Sequence, residues 1–444
     1  MGSLPKSRTT YLLLLSILPL LVSAMDGMVM EGDDEELYPR PLITQGASKS
    51  FHWILTLFLV LLAPSVSAVL VFAERLHAAV VIQIITTAYN AIEALFLRFP
   101  DGDGVENRTS RGTAWFLLLL SGVNLFFGLV HSGSKFFNNE KQMGPAAQMS
   151  ERSVRIIHRV LSVVCTLTGW VKVCLAPVAM FGFCRDAHTG QCLAHGIMGS
   201  AFVFYGCMYA TVLVLPFLRE RTGGQSQDFY DSLVMLLWGI VNTFTEHRWG
   251  REGWGHGDYQ HTAMGIIWWC GGLLGVYLAR GGRRTFVPSL LLIFTGWSMS
   301  EHVQKLQIST KVHYMFGLVL MTGGALRIVE ISFLLRDERF SRNQIHSFQY
   351  LPPFCLIESG VLFMGANEEQ LNLVLRLKAD HSSYIMVVTG GAFLIYLWYL
   401  LLLELYMKLT GVGNIDLSDY SAVGRNISSA ETPSEADFDL DREV

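Results

Sequence analysis

Charge is scarce in this chain. Only 16% of its 444 residues are Asp, Glu, Lys or Arg, against about a quarter in an ordinary soluble domain. No basic tract is present, which argues against a nucleic-acid partner. A Gly-rich strand-turn-helix fingerprint is missing too, and no soluble region is large enough to hold a flavin or nicotinamide domain. No catalytic motif stands out. Hydrophobic residues, by contrast, make up 51% of the chain and aromatics 12%, and the mean hydropathy is +0.38. Apolar runs of about 20 residues recur between short polar loops, the length a helix needs to cross a bilayer. The expected fold class is therefore an all-α polytopic membrane protein, with about eleven transmembrane helices after a cleaved signal peptide.

The first apolar run is read as that signal. Lys6 and Arg8 precede it and Val22-Ser23-Ala24 closes it with a small-x-small pattern, giving a signal peptide over 1–24. An acidic lumenal leader over 25–51 follows. The eleven spans are placed at 52–72, 78–97, 113–132, 156–181, 194–217, 229–245, 262–279, 286–302, 313–335, 349–365 and 381–407. With the mature N-terminus lumenal, the loops expected in the cytoplasm carry Lys135, Arg152, Arg219, Arg283 and Arg336, in keeping with the positive-inside rule. The Gly- and Gln-containing stretch 219–228 divides a five-helix unit, 52–218, from a six-helix unit, 229–408; an acidic cytoplasmic tail covers 409–444.

Two covalent signals fit this topology and the secretory pathway or plasma membrane. Asn107-Arg108-Thr109 is a glycosylation sequon in the second loop, on the lumenal side. Cys184 and Cys192 flank a polar stretch in the fourth loop, also lumenal, and are expected to form a disulfide. The other five cysteines fall within spans as buried thiols.

Histidine is the recurrent polar residue at the helix ends. His77 and His158 open two spans on the cytoplasmic side, while His52 and His195 open two on the lumenal side. Two imidazoles at one depth on different helices are what a haem b requires. In the second unit Glu246, His247, His261, Glu301, His302, His313 and His381 all fall at the lumenal ends of spans. Imidazoles and carboxylates converging at the mouth of a helical bundle would suit zinc, copper or iron. The competing reading is that these groups are wetted at the membrane interface beside an aromatic belt of Trp249, Trp254 and Tyr259.

His52, His77 and the run His158-Arg159-Val160-Leu161 resemble the ascorbate-linked transmembrane cytochrome b class, in which helix-start histidines bind two haems. That resemblance implies His77 and His158 as one haem pair. The outer pair lacks its partner, because the third helix begins Ser110-Arg111-Gly112-Thr113 with no histidine, unless His195 supplies it. The stretches 238–250 (WGIVNTFTEHRWG), 260–269 (QHTAMGIIWW) and 294–300 (FTGWSMS) resemble the fungal YTP-type multi-spanning family, whose members have no assigned reaction. The histidine spacing in the second unit is similar to that of the transmembrane protein forty-five family.

Ionisable residues inside the spans are costly in lipid and are expected to face the bundle interior; they are Glu93, Lys172, Arg327, Glu330, Glu358 and Glu404. Three functions remain open at this level, one of them a structural or trafficking role in which the histidines do nothing special. Another is transmembrane electron transfer through haem b from a small-molecule donor such as ascorbate, with a lumenal metal site. The third is non-enzymatic metal handling or transport, in which the lumenal histidines capture a cation. Membrane lipid is the one partner common to all three.

Overall fold

A computed structural model describes residues 46–99, 106–137, 145–184, 188–219, 224–245, 247, 253–302, 304–335 and 345–412. The expected signal peptide, most of the acidic leader, Glu246 and most of the acidic tail lie outside the described residues.

A helix lies at each position where a span is expected, because an apolar run leaves the backbone no other way to satisfy itself in lipid, and even Pro64 is accommodated within the first of them. In chain order these are α1 Gly46–Phe72, α2 Leu76–Phe96, α3 Arg108–Phe137, α4 Pro145–Cys174, α5 Thr189–Val214, α6 Gln227–Thr245, α7 His256–Leu278, α8 Val287–Ser300, α9 Gln307–Val329 and α10 Leu351–Met364. An amphipathic helix α11, Glu368–Arg376, precedes the last span, α12 His381–Thr410. No strand occurs among the described residues. Eight of the helices are long and apolar enough to cross a membrane; α6, α8 and α10 are not among them, and α8 and α10 have only 14 residues each. Prolines 288 and 352 sit in the first turns of α8 and α10, where a missing N–H costs nothing.

Side chains are distributed inside out relative to a soluble protein. Leu119, Phe96 and Val387 are 66%, 76% and 75% exposed, which only a lipid surround makes favourable, whereas polar residues such as Gln83, Asn90, His158 and Arg327 are buried. The first four helices pack on one another. Within α1 the turn at Leu57–Leu62 is π-helical, and it presses the carbonyl of Val60 against Gly169 of α4, where a Cβ would collide with it.

α5 belongs by packing with the helices that follow it. A Cβ on Gly199 would stand 2.6 Å from the carbonyl oxygen of Gly360 on α10, and Ala210 and Val214 share a core with Ile357 and Ala392. The division at 219–228 expected from composition thus falls one helix later than the division by packing, since a polar loop marks a turn and not which helix its neighbour touches. The two groups meet where Trp398 of α12 donates to Ser65 Oγ of α1 at 3.1 Å.

Candidate functional site

One large cavity, about 310 Å³, opens at one end of the second helical group. It lies where α5, α7 and α9 begin and α6, α8 and α10 end. Helix polarity therefore brings His195 and His313 from helix starts, and His302 from just beyond a helix end, to one level. His261, near the start of α7, completes the lining set of four. The rings form a row: His195 to His313 is 5.7 Å between centroids, His313 to His302 is 6.1 Å, and His302 to His261 is 5.5 Å.

Hydrogen bonds decide which nitrogen each ring presents. A carbonyl oxygen can only accept, so Nδ1 of His195 donates to Phe363 O at 2.9 Å and Nδ1 of His313 donates to Ser309 O at 2.8 Å. Each ring is thereby set as the tautomer whose Nε2 carries the lone pair. His302 Nδ1 bonds the side-chain oxygen of Gln260, whose own amide donates to Ser298. Met198, Met264 and Met299 add thioethers to the wall. Two imidazoles on one tetrahedral ion, at a metal–nitrogen distance of about 2 Å, stand with ring centroids roughly 5 Å apart. The 5.7 Å and 5.5 Å neighbours approach that spacing. Three ligand atoms do not converge here: among the described residues the one group of three within 4.8 Å is Cys184, Cys192 and Glu369, and its two sulfurs are joined to each other. The arrangement suits a cation held by two adjacent rings with thioether or amide help, and passed along the row.

The other expected metal residues fall elsewhere. His247 is buried, stacked on Trp254 at 4.0 Å with its Nδ1 3.4 Å from Asp258, and does not line the cavity. Glu301 is exposed and His381 half-buried, neither on the cavity wall, and Glu246 lies outside the described residues.

The histidines expected to hold haem are not brought together in pairs. His77 is exposed at the start of α2, whereas His158 is completely buried. The neighbour of His158 is His131 of α3, at 3.1 Å between Nδ1 atoms, and its Nε2 lies 2.9 Å from the Gln83 amide. His52 is engaged on both sides, by Tyr89 at 3.1 Å and Glu93 at 3.6 Å, while His195 sits in the cavity of the other group. An axial ligand must offer a nitrogen to the iron with space for a porphyrin beyond it. His158 has neither, and the interior void nearest to it, lined by Gln83 and Ser162, measures about 20 Å³. These residues do not fit a bis-histidine haem. Helix-start position in the sequence shows depth and not azimuth, and azimuth turns His77 outward.

His131 went unnoticed in the sequence because it ends a span instead of opening one, although its place at a predicted span end was visible. Gln260, Met198, Met264 and Met299 carried no signal; they read as ordinary core. Cys184 and Cys192 form the disulfide expected. It lies at the cavity end of the bundle and is held to the start of α11, where Glu369 accepts the Cys184 N–H at 2.7 Å. Asn107 is half-buried, and its Oδ1 accepts the Ser110 N–H at 2.9 Å at the start of α3.

The deep ions are mostly paired. Lys172 meets Glu93 at 2.7 Å, and Arg327 meets Glu330 at 2.7 Å and Asp228 at 3.0 Å. Glu358 accepts from Thr389 at 2.9 Å. Glu404 departs from expectation: it faces outward and pairs with Lys408 one turn on, near the end of α12, where both can reach the interface.

A family model described as "Protein YTP1-like, C-terminal" matches residues 168–407. The chain is 62% identical over 382 residues to "Protein YTP1" of Saccharomyces cerevisiae, covering 86% of this chain and 83% of that one. It is 24% identical over 268 residues to an uncharacterized membrane protein of Schizosaccharomyces pombe, covering 50% of this chain and 52% of the relative. No solved structure matches.

Proposed function

The chain belongs to the YTP1-like family of membrane proteins, and from that footing we propose that it binds and handles a transition-metal cation in the histidine cavity. The observation that carries this reading is the pair His195 and His313, each donating Nδ1 to a backbone carbonyl and keeping Nε2 as the lone-pair nitrogen. Metal-binding histidines are commonly oriented in this way. Nitrogen ligands with thioethers favour copper(I) or zinc over hard cations such as magnesium or calcium. The disulfide at the same end supports an oxidising, lumenal or extracellular setting for the cavity mouth.

The test is metal binding by the purified full-length protein in detergent, titrated with zinc and with copper(I) and read by calorimetry and elemental analysis. Wild type is expected to retain metal, and a His195→Ala/His313→Ala variant to lose it. A His247→Ala/His381→Ala variant, altered outside the cavity, should bind as wild type does. Equal retention by wild type and the His195/His313 variant would overturn the reading.

A further inference from the structure

The interior of the first four helices holds a polar seam that the histidine cavity does not use. On α2 the buried polar residues are Gln83, Thr86, Asn90 and Glu93, spaced 3, 4 and 3, which is one face of one helix. His158, Ser162 and Lys172 lie on the inner face of α4, Ser110, Ser121, Asn124 and His131 on that of α3, and Lys49, His52 and Thr56 on that of α1. Pairing these residues merely to hold helices together would close each polar group on its neighbour. Some groups stay open, among them Gln83 Oε1 and Asn90 Oδ1, which are buried with no hydrogen-bond partner among the described residues. Both residues line a void of about 20 Å³, together with Thr86, Ser121, Asn124 and Ser162. That is room for a single water, and the walls offer it more than enough partners.

Each end of the seam carries titratable groups already in contact. At the end formed by Glu74 and Arg159, which pair at 2.6 Å, the hydrogen bonds assign a directional relay. The Gln83 amide donates to His158 Nε2 at 2.9 Å, so His158 Nδ1 holds the proton and donates to His131 Nδ1 at 3.1 Å. His131 Nε2 is then the protonated nitrogen, 3.6 Å from Glu74. At the opposite end Thr56, Tyr89 and His52 are linked at 3.1 Å each, and His52 Nε2 lies 3.6 Å from Glu93, which is held by Lys172. A second void of about 20 Å³ lies there among Lys49, His52, Glu93, Glu106, Arg111 and Lys172. His158 and Lys172 are 14 positions apart on α4, about 21 Å at 1.5 Å per residue, which covers most of a hydrocarbon core of about 30 Å.

We propose that this seam is a proton path across the membrane, with water in the first void linking the His158–His131–Glu74 relay to the Tyr89–His52–Glu93 relay and water in the second linking Glu93 to that end of the seam. A proton taken up by Glu74 or Glu93 at one end is matched by one released at the other. At each step one N–H or O–H bond breaks as the next forms, so no other reactant is consumed. The Asn90 amide holds and orients the bridging water, and the Gln83 amide gives up its bond to His158 Nε2 when water delivers a proton there; neither amide itself carries the proton.

The experiment uses full-length protein in liposomes containing a pH-sensitive dye, with an inward potential set by potassium and valinomycin. Wild type should acidify the interior faster than protein-free liposomes. Asn90→Leu, which fills the central void, should fall to the protein-free rate, and Thr86→Val, nearly isosteric, should slow the flux measurably. The His195→Ala/His313→Ala variant should conduct as wild type does, which separates this proposal from metal binding at the cavity. Wild-type flux at the protein-free level overturns the proposal. So does undiminished flux in Thr86→Val and Asn90→Leu, or loss of flux in the cavity variant.

Discussion

At the scale of single residues, buried polar side chains decide most of what is distinctive here. Glu93 and Lys172 form a closely buried pair at 2.7 Å, so removing one charge strands the other in a medium that cannot solvate it. Lys172→Met is expected to cost about 3–5 kcal/mol, and Glu93→Gln/Lys172→Met to recover much of that loss; thermal unfolding in detergent compares the two. Asp380 belongs to a different regime, because it is exposed and stands just outside α12. The Ser383 side chain and the Ser383 N–H, which its carboxylate accepts at 2.7 Å, hold its pKa below the usual aspartate range. The sign follows directly: the cap is intact above the ordinary aspartate pKa and is lost only as pH falls through the lowered value. Hydrogen exchange in the first turn of α12 should accelerate in that acid window and not at neutral pH.

At the scale of elements, close helix crossings and caps set the positions of the site residues. Gly199 and Gly360 bring α5 and α10 to within backbone contact, which is what places His195 beside Phe363. Gly360→Leu has no space and should separate these helices, with loss of metal retention alongside a lower unfolding temperature. α11 is started by Asn367, whose Oδ1 accepts the Glu369 N–H at 3.0 Å. Replacing it with alanine should destabilise by about 1 kcal/mol. The Cys184–Cys192 disulfide joins positions eight apart, and closing so short a loop is worth about 2–3 kcal/mol on the chain-entropy account. Reduction should lower the unfolding temperature by a corresponding margin while leaving the helical content measured by circular dichroism nearly unchanged.

At the scale of the whole molecule, two groups of helices carry two unlike interiors, one with an open histidine cavity and one with a narrow polar seam. Membrane class, the positions of the helices and the disulfide were legible in the sequence, because each depends on local composition or on a short separation along the chain. The four cavity histidines were legible as residues at one membrane level, since helix polarity alone sorts starts from ends. Their partnership was not. His195 was expected beside His52, and His158 beside His77, because depth can be counted along a helix whereas rotation about its axis cannot. Packing sets that rotation: with Gly199 against Gly360, His195 faces His313, while His77 stands exposed and His131 is buried against His158. The amino-acid order by itself thus determined that this is a helical membrane protein with imidazoles at its helix ends. Which imidazoles meet, and whether they enclose a cavity or a hydrogen-bonded seam, was decided only by tertiary structure, because those contacts join residues from separate helices whose mutual angle no local pattern records.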